Sequence, residues 1–130
     1  MSRVLVIDDE PLIGTILSYA FGAGGHEMLV ADSGRGGIEL ARAEHPDVIV
    51  LDLMMPAVNG YDVLEVLRDD DATKKVPILV LTAVALARER ERCLSEGADV
   101  VMTKPFDPRD VARAVEGLLA AEAMQPVQKR

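Results

Sequence analysis

The run Val48-Ile49-Val50-Leu51 leads straight into Asp52, a carboxylate with no cation beside it in the chain, and then into Leu53-Met54-Met55-Pro56. Four consecutive apolar residues, three of them β-branched, favour a strand buried on both faces, and such a strand needs a sheet with helices packed on each side. An acid at the tip of a buried strand loses hydration unless its surroundings supply charge or hydrogen bonds. The rest of the chain therefore has to be read for what surrounds Asp52.

The same rhythm of apolar run and polar stop recurs on either side. Arg3 to Ile7 halts at Asp8-Asp9-Glu10, and Pro11 suits the first turn of a following helix. Leu12, Ile13, Ile16, Leu17 and Ala20 keep helical spacing up to Phe21, where Gly22, Gly24 and Gly25 stop the helix. These glycines precede a strand instead of following one, so they read as punctuation and not as a phosphate-binding loop. Glu27 to Ala31 is a second strand, and Ser33 caps a helix through Ile38, Leu40 and Ala41 that ends before Pro46. The third strand runs from Asp47 to Leu51 with Asp52 at its tip. After the Asn59-Gly60 turn comes an amphipathic helix with Val63, Leu64, Val66 and Leu67, and Asp69, Asp70 and Asp71 read as a solvated loop.

Pro77 to Leu81 is a fourth buried strand ending in Thr82-Ala83, followed by a charged helix through Arg88, Glu89, Arg90, Glu91 and Arg92 that ends at Gly97. Val100 to Thr103 is a fifth strand, stopping at Lys104-Pro105. Asp107 as cap and Pro108 at the first position open a last helix with Val111, Ala112, Val115, Leu118 and Leu119 on its apolar face. Residues 1–122 are expected to form one domain and 123–130 a polar tail.

Five strands alternating with five helices define an α/β fold, an open, doubly wound parallel sheet with right-handed crossovers. Such folds bind ligands beyond the carboxyl ends of their strands. Asp8 and Asp9 follow strand one, Asp52 strand three, Thr82 strand four and Lys104 strand five, so all five residues converge on that edge. Three carboxylates gathered there repel one another unless a cation joins them, and oxygen-only ligands suit Mg²⁺. Asp9 and Asp52 are expected to bind it directly and Asp8 directly or through water. The Lys104 ammonium and the Thr82 hydroxyl can each reach a phosphoryl oxygen, which makes Asp52 a candidate nucleophile that accepts a phosphoryl group.

Each residue alone has a plainer reading. Asp8-Asp9-Glu10 could serve a helix dipole, and a Thr or Lys at a strand end is usually just solvated. The joint placement is what favours chemistry. His26 and His45 read as surface histidines, Cys93 as a small helix residue, and Met54-Met55 as loop packing.

A chain of 130 residues with 49% hydrophobic and 28% charged residues is one ordinary globular domain. Its net charge of −8 argues against direct nucleic-acid binding, which needs clustered Lys and Arg. The single cysteine and the acids that interrupt the first apolar run point to the cytoplasm. No stretch reaches the ~20 apolar residues of a membrane span.

The chain resembles a response-regulator receiver domain. The pieces that carry the resemblance are VLVIDDEP (Val4 to Pro11), LDLMMP (Leu51 to Pro56) with Asn59-Gly60, PILVLTA (Pro77 to Ala83) and TKPF (Thr103 to Phe106), in the family's order and spacing over residues 3 to about 120. The resemblance implies the flavodoxin-like strand order 2-1-3-4-5. It implies that Asp52 takes a phosphoryl group from the phosphohistidine of a histidine kinase or phosphotransfer protein. It further implies that Asp8, Asp9, Asp52 and the Met54 backbone carbonyl hold Mg²⁺, that Thr82 and Lys104 contact the phosphoryl group, and that the Lys104-Pro105 bond is cis. The output side is expected to be a protein, or a second copy, docking on residues 86 to 96 and the neighbouring surface.

Receiver domains commonly carry Tyr or Phe three residues before the lysine, where this chain has Val101. Two positions that steer water to the phosphoryl group, two residues after the phosphoacceptor and two after the threonine, are Met54 and Val84, which implies slow self-dephosphorylation. An aspartyl-nucleophile phosphatase would need an acid where Met54 stands. The domain is thus expected to be no enzyme beyond assisting its own phosphorylation and dephosphorylation; the alternative is a pseudo-receiver that is never phosphorylated.

Overall fold

The structure, a computed structural model, describes residues 2–55, 58–83 and 86–123. Strands β1 (Arg3–Ile7), β2 (Glu27–Ala31), β3 (Val48–Asp52), β6 (Ile78–Thr82) and β7 (Val100–Thr103) form one parallel sheet in the order β2-β1-β3-β6-β7. Two two-residue strands, β4 (Met54–Met55) and β5 (Val58–Asn59), pair separately as an antiparallel hairpin. Counting only the sheet, the order is the expected 2-1-3-4-5. The helices are α1 (Pro11–Ala23), α2 (Gly34–Glu44), α3 (Gly60–Asp69), α4 (Ala87–Ser95) and α5 (Pro108–Ala123).

The period of two along each strand divides the core. Leu5, Ile7, Ile49, Leu51, Ile78 and Val80 face one way and pack with Leu64, Leu67 and Cys93 from α3 and α4. Val4, Val6, Val48, Val50, Leu79 and Leu81 face the other and pack with Leu17, Phe21, Val111 and Val115 from α1 and α5. Because β3 lies between β1 and β6, every one of its residues is buried, as its uninterrupted apolar run requires. Each fully buried Ile or Leu contributes roughly 1.5–3 kcal/mol relative to exposure, so this two-sided core is what holds the carboxyl edge in place.

Several local expectations hold in detail. The Ser33 hydroxyl accepts from the Gly36 N–H, Asn59 Oδ1 accepts from the Tyr61 N–H, and Asp107 Oδ1 accepts from the Arg109 N–H. Gly25, at φ +80, makes the turn out of α1, although that helix continues past Phe21 to Ala23. Leu12, read as part of the helix's apolar stripe, is exposed.

Two readings are corrected. His26 is not a surface histidine: its side chain is only 10% exposed, its Nε2 pairs with Glu116 Oε2, and it ties the α1–β2 turn to α5. The two residues lie 90 positions apart, and only the docking of α5 against α1 brings them together. His45 is exposed and closes α2 in the left-handed conformation. The acids at 69–71 are not simply solvated: Asp69 ends α3, and Asp70 pairs with Arg42 and accepts from the Ala72 N–H. On α4, Arg92 pairs with Glu96, Tyr61 donates to Glu89, and Arg90 donates to the Val101 carbonyl. The tail from Met124 onward lies outside the described residues. Among the described residues no helix is long and apolar enough to cross a membrane.

Candidate functional site

The carboxyl edge of the sheet gathers the five singled-out residues. Asp8 follows β1 with its N–H donating to the Ala31 carbonyl at 3.0 Å, and its carboxylate is buried. Asp8 Oδ1 accepts from the Glu10 N–H at 2.9 Å, while Oδ2 is buried with no hydrogen-bond partner among the described residues. Asp52 ends β3 opposite Leu81; its Oδ1 accepts from the Met54 N–H at 3.1 Å and faces Lys104 Nζ at 3.3 Å. Asp9 completes the group: carboxylate oxygens of Asp8, Asp9 and Asp52 all lie within 4.8 Å of one another.

Thr82, buried at the end of β6, stands opposite Thr103 in register. The Lys104 N–H donates to the Thr82 carbonyl at 2.8 Å, which fixes the lysine backbone beside the threonine. The Lys104-Pro105 bond is cis, as the resemblance implied. The ammonium lies 3.7 Å from Asp8 Oδ2 and 3.8 Å from Glu10 Oε1 in addition to its contact with Asp52. In the sequence Glu10 is only one of three consecutive acids, and its approach to Lys104 depends on the meeting of strand ends from opposite parts of the chain.

Glu10 stands at the N-cap of α1, beside the helix dipole, but the acidic triplet does more than face that dipole. Glu10 makes no side-chain cap and the first turn of α1 contains no acid. Asp8 instead points into the edge, where burial pushes its carboxyl up to about 6. The Glu10 N–H opposes this rise, the Asp52 charge adds to it, and Lys104 opposes it. One lysine against three close carboxylates leaves the cluster short of positive charge. An all-oxygen donor set in which the buried Asp8 Oδ2 accepts no hydrogen bond and faces only the Lys104 ammonium at 3.7 Å fits a hard divalent cation such as Mg²⁺.

Met54 is 59% exposed and Met55 is buried, so the pair divides between the surface and the core. Met54 therefore stands open at the hairpin rather than packed within it. Val84 lies outside the described residues. Val101 is buried, so the position of the expected aromatic contributes core packing.

A doubly wound sheet with three acids, a threonine and a lysine on its carboxyl edge is a receiver-type architecture, and the chain belongs to the response regulator receiver domain family, whose pattern it matches over residues 4–116. It is 39% identical over 119 residues to the DNA-binding dual master transcriptional regulator RpaA of Synechocystis, covering 92% of this chain and 49% of that protein. It is 32% identical over 120 residues to protein PilH of Pseudomonas aeruginosa, covering 92% of this chain and 99% of PilH. Among solved structures it resembles the receiver domain of the Francisella response regulator 1452, with a TM-score of 0.87 and 30% identity over 94% of this chain and 99% of that one. Chemotaxis response regulator CheY4 of Vibrio cholerae gives 0.85 at 28% identity, over 91% and 98%. The chain spans about half the length of RpaA and of the Bacillus subtilis regulator PhoP.

Proposed function

We propose that Asp52 accepts a phosphoryl group from the phosphohistidine of a histidine kinase or phosphotransfer protein, and that the resulting charge change resets a protein-docking surface. The observation that carries this reading is the convergence of the Asp8, Asp9 and Asp52 oxygens within 4.8 Å with Lys104 Nζ 3.3 Å from Asp52. A carboxylate oxygen of Asp52 forms the new O–P bond as the N–P bond breaks, and the histidine nitrogen keeps that electron pair and takes up a proton. Asp8, Asp9, Asp52 and the Met54 carbonyl would hold Mg²⁺, which offsets charge on the transferring phosphoryl oxygens. Lys104 supplies a fixed positive charge to one of those oxygens and Thr82 a hydroxyl donor to another.

The chain carries out no chemistry on a second substrate; it assists only its own phosphorylation and dephosphorylation. Its output passes through residues 86–96, where Leu86, Arg88, Arg90 and Leu94 are exposed, to another protein or a second copy. The location is cytoplasmic and the domain touches no nucleic acid itself, its net charge being −8.

Intact mass after incubation with Mg²⁺ and acetyl phosphate tests the reading. One added phosphoryl group is expected in wild type and none in Asp52→Asn, while Asp9→Ala loses Mg²⁺ affinity. A wild-type mass that stays unchanged identifies the chain as a pseudo-receiver.

A further inference from the structure

The side chain that reaches α4 from the phosphoacceptor side is not at position 101 but at position 61. Tyr61, near the start of α3, is buried, and its hydroxyl donates to Glu89 Oε1 at 2.6 Å. Cys93 Sγ lies 3.8 Å from the same hydroxyl, and the Arg92 guanidinium stands 3.6 Å from the ring centroid. Residues 89, 92 and 93 share one face of α4, so three contacts of different chemistry seat that face on a single ring.

The other end of Tyr61 is tied to Asp52. Asp52 Oδ1 accepts from the Met54 N–H, Met54 pairs with Asn59 across the β4–β5 hairpin, and Asn59 Oδ1 accepts from the Tyr61 N–H at 2.9 Å. The Gly60 N–H donates to the Leu53 carbonyl at 3.2 Å. A Cβ at Gly60 would stand 2.5 Å from that carbonyl oxygen, which is backbone and cannot yield, so only glycine lets α3 begin flat against the residue after Asp52. Hydrogen bonds and close backbone packing thus run without a gap from the carboxylate to α4.

We propose that Tyr61 is a positioning residue that couples the charge state of Asp52 to the seating of α4 through its hydroxyl bond to Glu89. The coupling rests on Asp52 being the phosphoacceptor. Forming the acyl phosphate removes negative charge from the carboxylate, whichever oxygen takes the phosphorus, and a charge-assisted hydrogen bond from the Met54 N–H becomes an ordinary one. The hairpin is then held less tightly, and Tyr61 moves with it. Burial, reinforced by the Glu89 carboxylate, raises the Tyr61 phenol, so it remains a donor at every working pH. The displacement reaches α4 as a change in one bond between two otherwise rigid elements.

The test uses the full chain with and without acetyl phosphate and Mg²⁺, with intact mass to report phosphoryl uptake and amide hydrogen exchange to report residues 87–95. Tyr61→Phe keeps the ring and removes the hydroxyl; Glu89→Ala removes the acceptor and leaves the ring. Both variants are expected to take up phosphoryl as wild type does, and to exchange about tenfold faster in unphosphorylated α4. Both should lose most of the phosphorylation-dependent change, and the double variant should do no worse than either single one. Should Tyr61→Phe fold poorly, Glu89→Ala decides by itself. Normal uptake with the wild-type response retained in either variant, or responses that add independently, overturns the coupling alone. Absence of uptake in wild type overturns the phosphoacceptor reading and the coupling with it.

Discussion

At the scale of single residues, Asp8 holds the clearest electrostatic tension. Its folded carboxyl titrates near 6 while an unfolded one titrates near the ordinary value, so the folded state binds more protons across that window. Stability from this group therefore falls as pH rises through the window, and the full cost, about 3 kcal/mol, is present above it. Asp8→Asn removes the charge and keeps the shape. Without metal it is expected to be more stable than wild type at pH 8, with the gain vanishing by pH 4 and Mg²⁺ narrowing it by stabilising wild type alone. Chemical denaturation across pH measures this, and a gain that grew toward low pH would contradict it. Met54 and Val84 argue for a long-lived phosphoryl group, because neither apolar side chain can orient or deprotonate water. Met54→Asn/Val84→Glu is expected to shorten the lifetime about tenfold or more, as read from the decay of the phosphorylated mass.

Among elements, what could be read from the chain was what depends on local order. The β3 run, the Ser33 and Asp107 caps, the Asn59-Gly60 turn and the placement of Thr82 and Lys104 at strand ends each follow from neighbours within a few residues. His26 with Glu116, Glu10 with Lys104 and Tyr61 with Glu89 were not legible. Each pair joins distant segments, and whether two such side chains meet depends on helix docking that no short-range pattern encodes. Tyr61 left only an indirect signal, its position directly after the Asn59-Gly60 turn. The α4 helix shows the difference most plainly: nothing in its run of alternating charges indicates that Glu89 turns toward α3 and Arg90 toward β7. If Lys104 reads the phosphoryl group, Lys104→Ala should still accept phosphate while losing the conformational response, a coupling typically worth about 1–3 kcal/mol. An amide spectrum in which the variant responds as wild type does would remove the lysine from that role.

For the whole molecule, the two-sided core and the site are consequences of one topology. Strand order 2-1-3-4-5 puts β1 and β3 side by side, so Asp8 and Asp9 meet Asp52 although more than forty residues separate them. It also puts β6 and β7 at Asp52's other flank, where they supply Thr82 and Lys104. The alternation of strands and helices made that edge readable in advance, whereas the contacts on it required the folded chain. The most direct measurement is borohydride trapping, since an acyl phosphate is reduced to an alcohol while free carboxylates are untouched. After treatment with acetyl phosphate and borohydride, peptide sequencing by mass spectrometry is expected to find homoserine at position 52, dependent on Mg²⁺ and absent from Asp52→Asn. Reduction at Asp8 or Asp9 instead, or none anywhere, would contradict the account.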